Sequence, residues 1–110
     1  MPTPYYQTLC LRPEYFAAVR RGEKRSTIRA GRRLLREGAL VLASDADHLT
    51  VQITHITYKC FYELNDDDAR LDGFTDAQAL RQTLYHFYPN LRDASVLTIV
   101  YFELPDGTIR

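Results

Sequence analysis

Arg21-Gly-Glu-Lys-Arg-Ser-Thr-Ile-Arg-Ala-Gly-Arg-Arg33 is the stretch from which the rest of the chain is read. It holds five arginines and one lysine against a single acid, Glu23. Like charges this close repel unless something anionic or electron-rich sits among them, so the segment is more than a connector. An apolar, helix-like run precedes it and an apolar, strand-like run follows. Lys24 stands three residues before Thr27, a candidate base beside a candidate nucleophile. On a regular strand residues 24 and 27 face opposite ways. They share a pocket only if the backbone bends between them.

Working outward toward the N-terminus, Thr8 to Leu11 reads as a short strand with Leu9 and Leu11 on one face. Pro13 opens a helix, where its fixed φ and missing N–H do no harm. Tyr15, Phe16 and Val19 form the apolar side of that helix, and Gly22 occupies the C-cap glycine position. Toward the C-terminus, Thr27-Ile28-Arg29 is a short strand and Gly31-Arg-Arg33 a turn. Leu40 to Ser44 is a strand, Asp45-Ala-Asp47 a turn, and His48 to Tyr58 a longer strand. Its apolar phase shifts after His55, which predicts a bulge or bend of the kind that lets strands coil toward closure. Asn65 caps a short helix with Asp66, Asp67 and Asp68 in its first turn, ending near Gly73. Thr75 is expected to cap the next helix, whose stripe is Ala77, Leu80, Leu84, Phe87 and Tyr88 and which stops at Pro89. Val96 to Leu104 is nearly continuous in apolar residues, the pattern of a central strand buried on both faces. The residues from Pro105 read as a tail or turn. This order predicts an α+β fold, a small mixed or antiparallel barrel flanked by helices.

A length of 110 residues bounds the chain to one domain, 1–110. The formal net charge is zero, which argues against general polyanion binding and turns attention to how the charge is distributed. Basic residues crowd positions 20–36 and acidic ones positions 63–76, so the two patches are expected to pair or to ring one cleft. Cys10 and Cys60 are too few for a disulfide framework and lack metal-ligand spacing. They read as buried thiols in a reducing cytoplasm. No secretory signal is visible, and no apolar stretch is long enough to cross a membrane. His48, His55 and His86 form no constellation with Cys or Asp at metal-ligand spacing. Neither metal nor cofactor is therefore expected.

The chemistry open to these residues is acyl transfer. A threonine hydroxyl becomes a useful nucleophile when a base removes its proton. A lysine acts as that base when burial or neighbouring cations lower its pKa. Asp72 or Glu63 is the candidate for handling the leaving-group proton. Backbone N–H groups near the Gly22 or Gly31 turns are candidate oxyanion donors. Arg29, Arg32 and Arg33 are candidates for binding phosphate or stacking on a base. Arg29, set inside an apolar strand pattern, is expected to have a specific partner.

Gly22-Glu-Lys24-Arg-Ser-Thr27-Ile-Arg29 resembles the signature of ASCH domains, small relatives of the PUA RNA-binding fold. Ala69-Arg-Leu-Asp72-Gly-Phe74, the helix ending Tyr88-Pro89 and the strand Val96 to Phe102 resemble that family as well. The resemblance runs from about residue 8 to residue 104. It implies a PUA-like β-barrel with flanking helices, the ASCH fold, and a role with RNA or nucleotides. Some small bacterial members hydrolyse the amide of N4-acetylcytidine with a Thr, a Lys and a Glu. By this resemblance the first two fall on Thr27 and Lys24. The glutamate position falls on Asp72, one methylene shorter, with Glu63 as the alternative acid. The implied substrate is a small nucleoside or nucleobase. A non-catalytic RNA-binding module and a ribonuclease using the same basic cleft are the alternative functions.

Overall fold

In the computed structural model, residues 7–105 are described; the expected tail or turn beyond Pro105 lies outside them. The strands are β1 (Gln7–Cys10), β2 (Ser26–Ala30), β3 (Gly38–Ala43), β4 (His48–Cys60) and β5 (Val96–Glu103). Among the helices are α1 (Phe16–Arg20), α2 (Asp66–Leu71) and α3 (Ala77–Phe87). Single 3-10 turns precede α1 at Pro13–Tyr15 and α2 at Phe61–Glu63.

The strands form one mixed sheet in the order β1-β3-β4-β5-β2. β1 and β3 run parallel and the other pairs antiparallel. The sheet curls into a half-barrel whose two edges are β1 and β2. β4 serves both halves. Its first part pairs with β3 and its later part with β5, and the register slips between Ile53 and His55, where the apolar phase shifts. The expected bulge is thus the bend that turns β4 from one half of the curl to the other.

Two apolar clusters hold the sheet. The concave side packs Leu9, Leu11, Leu40, Leu42, Val51, Ile53, Val100 and Phe102 around Phe16 and Val19 of α1. The other face of β5 and β2 packs Leu97, Ile99 and Ile28 against Ala69 of α2 and Leu80 and Leu84 of α3. β5 is therefore buried on both faces, as its continuous apolar run requires.

Helices α1 and α2 end in the same way. After α1, the Gly22 N–H bonds the Val19 carbonyl and the Glu23 N–H bonds that of Ala18. After α2, the Gly73 N–H bonds Arg70 and the Phe74 N–H bonds Ala69. Both are Schellman motifs, with glycine at positive φ (+78° at Gly22, +93° at Gly73). Asn65 caps α2, its side chain accepting from Asp68 N–H while Asp68 reaches back to Asn65 N–H. The cap of α3 is Asp76, whose carboxylate accepts from Ala79 N–H, and not Thr75. Both residue types cap well, and the neighbouring acid has the stronger acceptor. Cys10 is exposed and Cys60 half-buried, so the expected buried thiols are not found. Cys10 alternates outward from Leu9 on β1, and Cys60 ends β4 beside the 3-10 turn.

Candidate functional site

The two Schellman turns bring the site together. Lys24 lies two residues beyond Gly22, and Asp72 immediately before Gly73. Arg25 fixes the junction: its N–H bonds the Leu71 carbonyl at 2.6 Å, and its own carbonyl accepts from Phe102 N–H at 3.0 Å. The chain is thus clamped between the end of α2 and β5 just before β2 begins. Lys24 lies before β2 begins, so it is not bound to the alternation of the strand that carries Thr27. Thr27 pairs in register with Val100 and Arg29 with Thr98, so both side chains take the concave side of the sheet.

Lys24, Thr27 and Asp72 are 4, 4 and 6% exposed, so all three are withdrawn from solvent. The Lys24 ammonium donates to the Asp72 carboxylate in a buried ion pair, and to the Asp72 carbonyl at 3.3 Å. It also stands 5.3 Å from the centre of the Tyr15 ring. Burial pushes the Asp72 carboxyl up to about 6, although the Lys24 charge and hydrogen bond pull it down. Arg29 donates from Nε and Nη2 to Thr27 Oγ1, each at 3.3 Å, and burial lowers its pKa. No hydrogen bond joins Lys24 to Thr27 among the described residues; each is held by its own partner, the lysine by Asp72 and the hydroxyl by Arg29.

These four residues line one cavity of about 100 Å³. Its other walls include Cys10 at the end of β1, Leu11 and Arg12 just after it, Tyr15, and Leu80, Thr83, Leu84 and Phe87 of α3. The cavity lies where the two sheet edges, β1 and β2, fail to meet. Since a water needs at least about 10–15 Å³ of such space, it takes several waters or one small organic molecule, not a polymer.

The remaining sequence candidates stand elsewhere. The Glu63 carboxylate accepts from Cys60 N–H at 2.8 Å, closing a capping box on the turn before α2, outside the cavity. Arg32 is exposed and lies over the Tyr58 ring at 4.1 Å. Arg33 is exposed too, its N–H bonded to Thr98 Oγ1 at 2.8 Å and its Nε to the Ala30 carbonyl at 3.2 Å. Both dress the β2–β3 connection and neither lines the cavity. The basic and acidic stretches meet through Lys24–Asp72, while Arg21 pairs with Glu23 and Arg70 with Asp66 and Asp67, each within its own stretch. His48, His55 and His86 are exposed. Among the described residues no helix is long and apolar enough to cross a membrane.

No protein-family model matches the sequence, and no curated protein matches it. Solved structures do match the fold. An ASCH domain from Lactobacillus crispatus superposes with a TM-score of 0.74 at 14% identity, covering 89% of this chain and 78% of that one. A variant ASCH protein from Zymomonas mobilis gives 0.64 at 14% identity, over 89% of this chain and 68% of that one. A protein from Enterococcus faecalis gives 0.64 at 14% identity, over 80% and 64%. The chain is an α+β protein built on a PUA-like half-barrel. Its fold is that of the ASCH domains.

Proposed function

We propose that the chain is an amidohydrolase that removes the acyl group from N4-acylated cytosine nucleosides, with Thr27, Lys24 and Asp72 as its working groups. The observation that carries this reading is the confinement of a buried lysine–carboxylate pair and a threonine hydroxyl to one small cavity. A buried ion pair is a weak source of stability. Its use is chemical here: raising Asp72 to about 6 narrows the gap between the charged pair and the neutral amine–acid pair. Asp72 takes the ammonium proton, and the Lys24 amine is then free to accept the Thr27 proton.

The steps balance. Thr27 Oγ bonds to the amide carbonyl carbon, and its proton passes to Lys24. Arg29 turns its N–H groups from the hydroxyl to the oxyanion that forms. The C–N4 bond breaks, N4 takes the proton from Lys24, and the cytosine amine leaves. Water then hydrolyses the threonine ester, returning Thr27 and releasing the carboxylic acid. Glu63 and the exposed Arg32 and Arg33 have no part in these steps.

The exposed stack of Arg32 on Tyr58 favours a second reading, a non-catalytic RNA-binding module. Release of cytidine and acetate from N4-acetylcytidine by the purified chain separates the two. Turnover is expected. No turnover, with RNA affinity that falls steeply as salt rises, would replace the hydrolase with the binding module. Cleavage of an RNA oligonucleotide would instead mark the site as a ribonuclease.

A further inference from the structure

Past the end of β1 the cavity is bordered by a more open groove. Arg12, Tyr15, Thr83 and Phe87 line both it and an outer groove of about 350 Å³, so these four residues form the threshold between the two spaces. Arg12 comes from the segment between β1 and α1, and Phe87 from the last turn of α3. The Arg12 guanidinium lies over the Phe87 ring, 5.0 Å from its centre, spanning the gap between these two walls. Glu14 holds the guanidinium there, accepting from its Nε at 2.9 Å. Glu14, Gln82 and His86 complete the outer groove.

A second groove meets the cavity through Phe87 and Tyr88. Its further walls are largely apolar, among them Ala30, Pro89, Leu91 and Val96. The two grooves thus offer different chemistry on either side of Phe87. The Arg12 side presents N–H donors, a carboxylate, an amide and an imidazole. Its one guanidinium charge is already answered by Glu14, so it suits a neutral group rich in hydroxyls better than a phosphate.

We infer that Arg12 and Phe87 form the specificity threshold of the site, and that the outer groove beside them holds the sugar attached to the base. This rests on the hydrolase reading. With the scissile amide at Thr27, the base lies among Lys24, Asp72 and Arg29, and the sugar reaches the threshold that Arg12 and Phe87 share with the outer groove. Arg12 has N–H groups not used by Glu14, and these donate to sugar hydroxyls while the Phe87 ring meets the apolar face of the ring. Arg12 is a positioning and specificity residue; it does not touch the reacting atoms.

The experiment compares N4-acetylcytidine with N4-acetylcytosine, which share the scissile amide and differ by the ribose. Wild type, Arg12→Ala, Arg12→Lys and Phe87→Leu are measured on both. The ratio of kcat/KM, nucleoside over base, is expected to fall about tenfold in Arg12→Ala, carried by KM and not kcat. Arg12→Lys is expected to restore part of it. An unmoved ratio, or equal losses on both substrates, overturns the inference. Cytidine and cytosine binding, followed by calorimetry on the same proteins, provides a readout without turnover. If wild type hydrolyses neither substrate, the hydrolase reading fails, while selective loss of cytidine affinity in Arg12→Ala still supports the sugar site. Equal affinity of wild type for cytidine and cytosine overturns it.

Discussion

Neither charge of the Lys24–Asp72 pair is stable in its position without the other. Removing Lys24 leaves a buried carboxyl that burial has already pushed up to about 6, and takes away the nearest group holding it down. Its folded pKa therefore rises further above the unfolded value of about 3.9. Between those values the folded state binds the extra proton, so the stability from this group is complete below about pH 4. It is lost as pH rises through the folded pKa. In thermal melts, Lys24→Ala is expected to trail wild type little near pH 4 and by about 3–5 kcal/mol near pH 8. A deficit that is flat, or that grows toward acid, contradicts the pairing. The proposed reaction has the opposite demand, because in it Asp72 must be a carboxylate to take the lysine proton. The rate on N4-acetylcytidine is expected to drop as pH falls through about 6; a pH profile level from about 5 to 7 counts against Asp72 as proton acceptor. Ser26 gives a separate test. Its Oγ is wholly buried and has no hydrogen-bond partner among the described residues, so Ser26→Ala removes a hydroxyl that they leave unsatisfied. The melting temperature is expected to hold or rise slightly. A loss above about 1 kcal/mol would show that the hydroxyl is satisfied in solution.

At the scale of elements, two short helices deliver the site by ending in the same motif. An alanine at Gly22 meets no atom within 4 Å, so its cost is backbone strain alone, about 1–2 kcal/mol. At Gly73 the strain is of the same kind and the new Cβ would make ordinary contact with the Lys24 Cβ at 3.6 Å, but the strained residue directly follows Asp72 and lies against Lys24. Both variants are expected to melt lower by similar amounts, and Gly73→Ala to lose more activity than Gly22→Ala on N4-acetylcytidine. Equal activity losses would mean that the turn at Gly73 does not position Lys24. Much at this scale is legible in the sequence, because it is local. The Gly22 cap, the Asn65 cap and the phase shift in β4 are written in adjacent residues. The cap of α3 is misread by one position because Thr75 and Asp76 both have capping side chains, and only backbone geometry chooses between them. Cys10 is misread for a similar reason: edge strand β1 covers one face only, and the thiol takes the other.

The whole molecule sets the cavity at the seam left where β1 and β2 do not pair. That placement depends on strand order, which no local pattern encodes. Lys24, Thr27 and Asp72 are legible as a group from the resemblance to ASCH domains, but the choice between Asp72 and Glu63 is not. The structure puts Asp72 beside Lys24 at the end of α2, and Glu63 in the cap of the turn before that helix. Nor does anything around Arg12 mark it; it reaches the site because β1 is an edge and α3 crosses the open side. Arg32 and Arg33 share the charge of Arg29 but leave the cavity, since β2 ends at Ala30 and the chain turns away. The central claim, that a threonine hydroxyl at this seam attacks an amide, is tested most directly by cytidine release from N4-acetylcytidine in Thr27→Ala, with Thr27→Ser beside it. The alanine variant is expected to lose about a thousandfold or more in kcat while the serine variant retains measurable turnover. An alanine variant within about tenfold of wild type would contradict it.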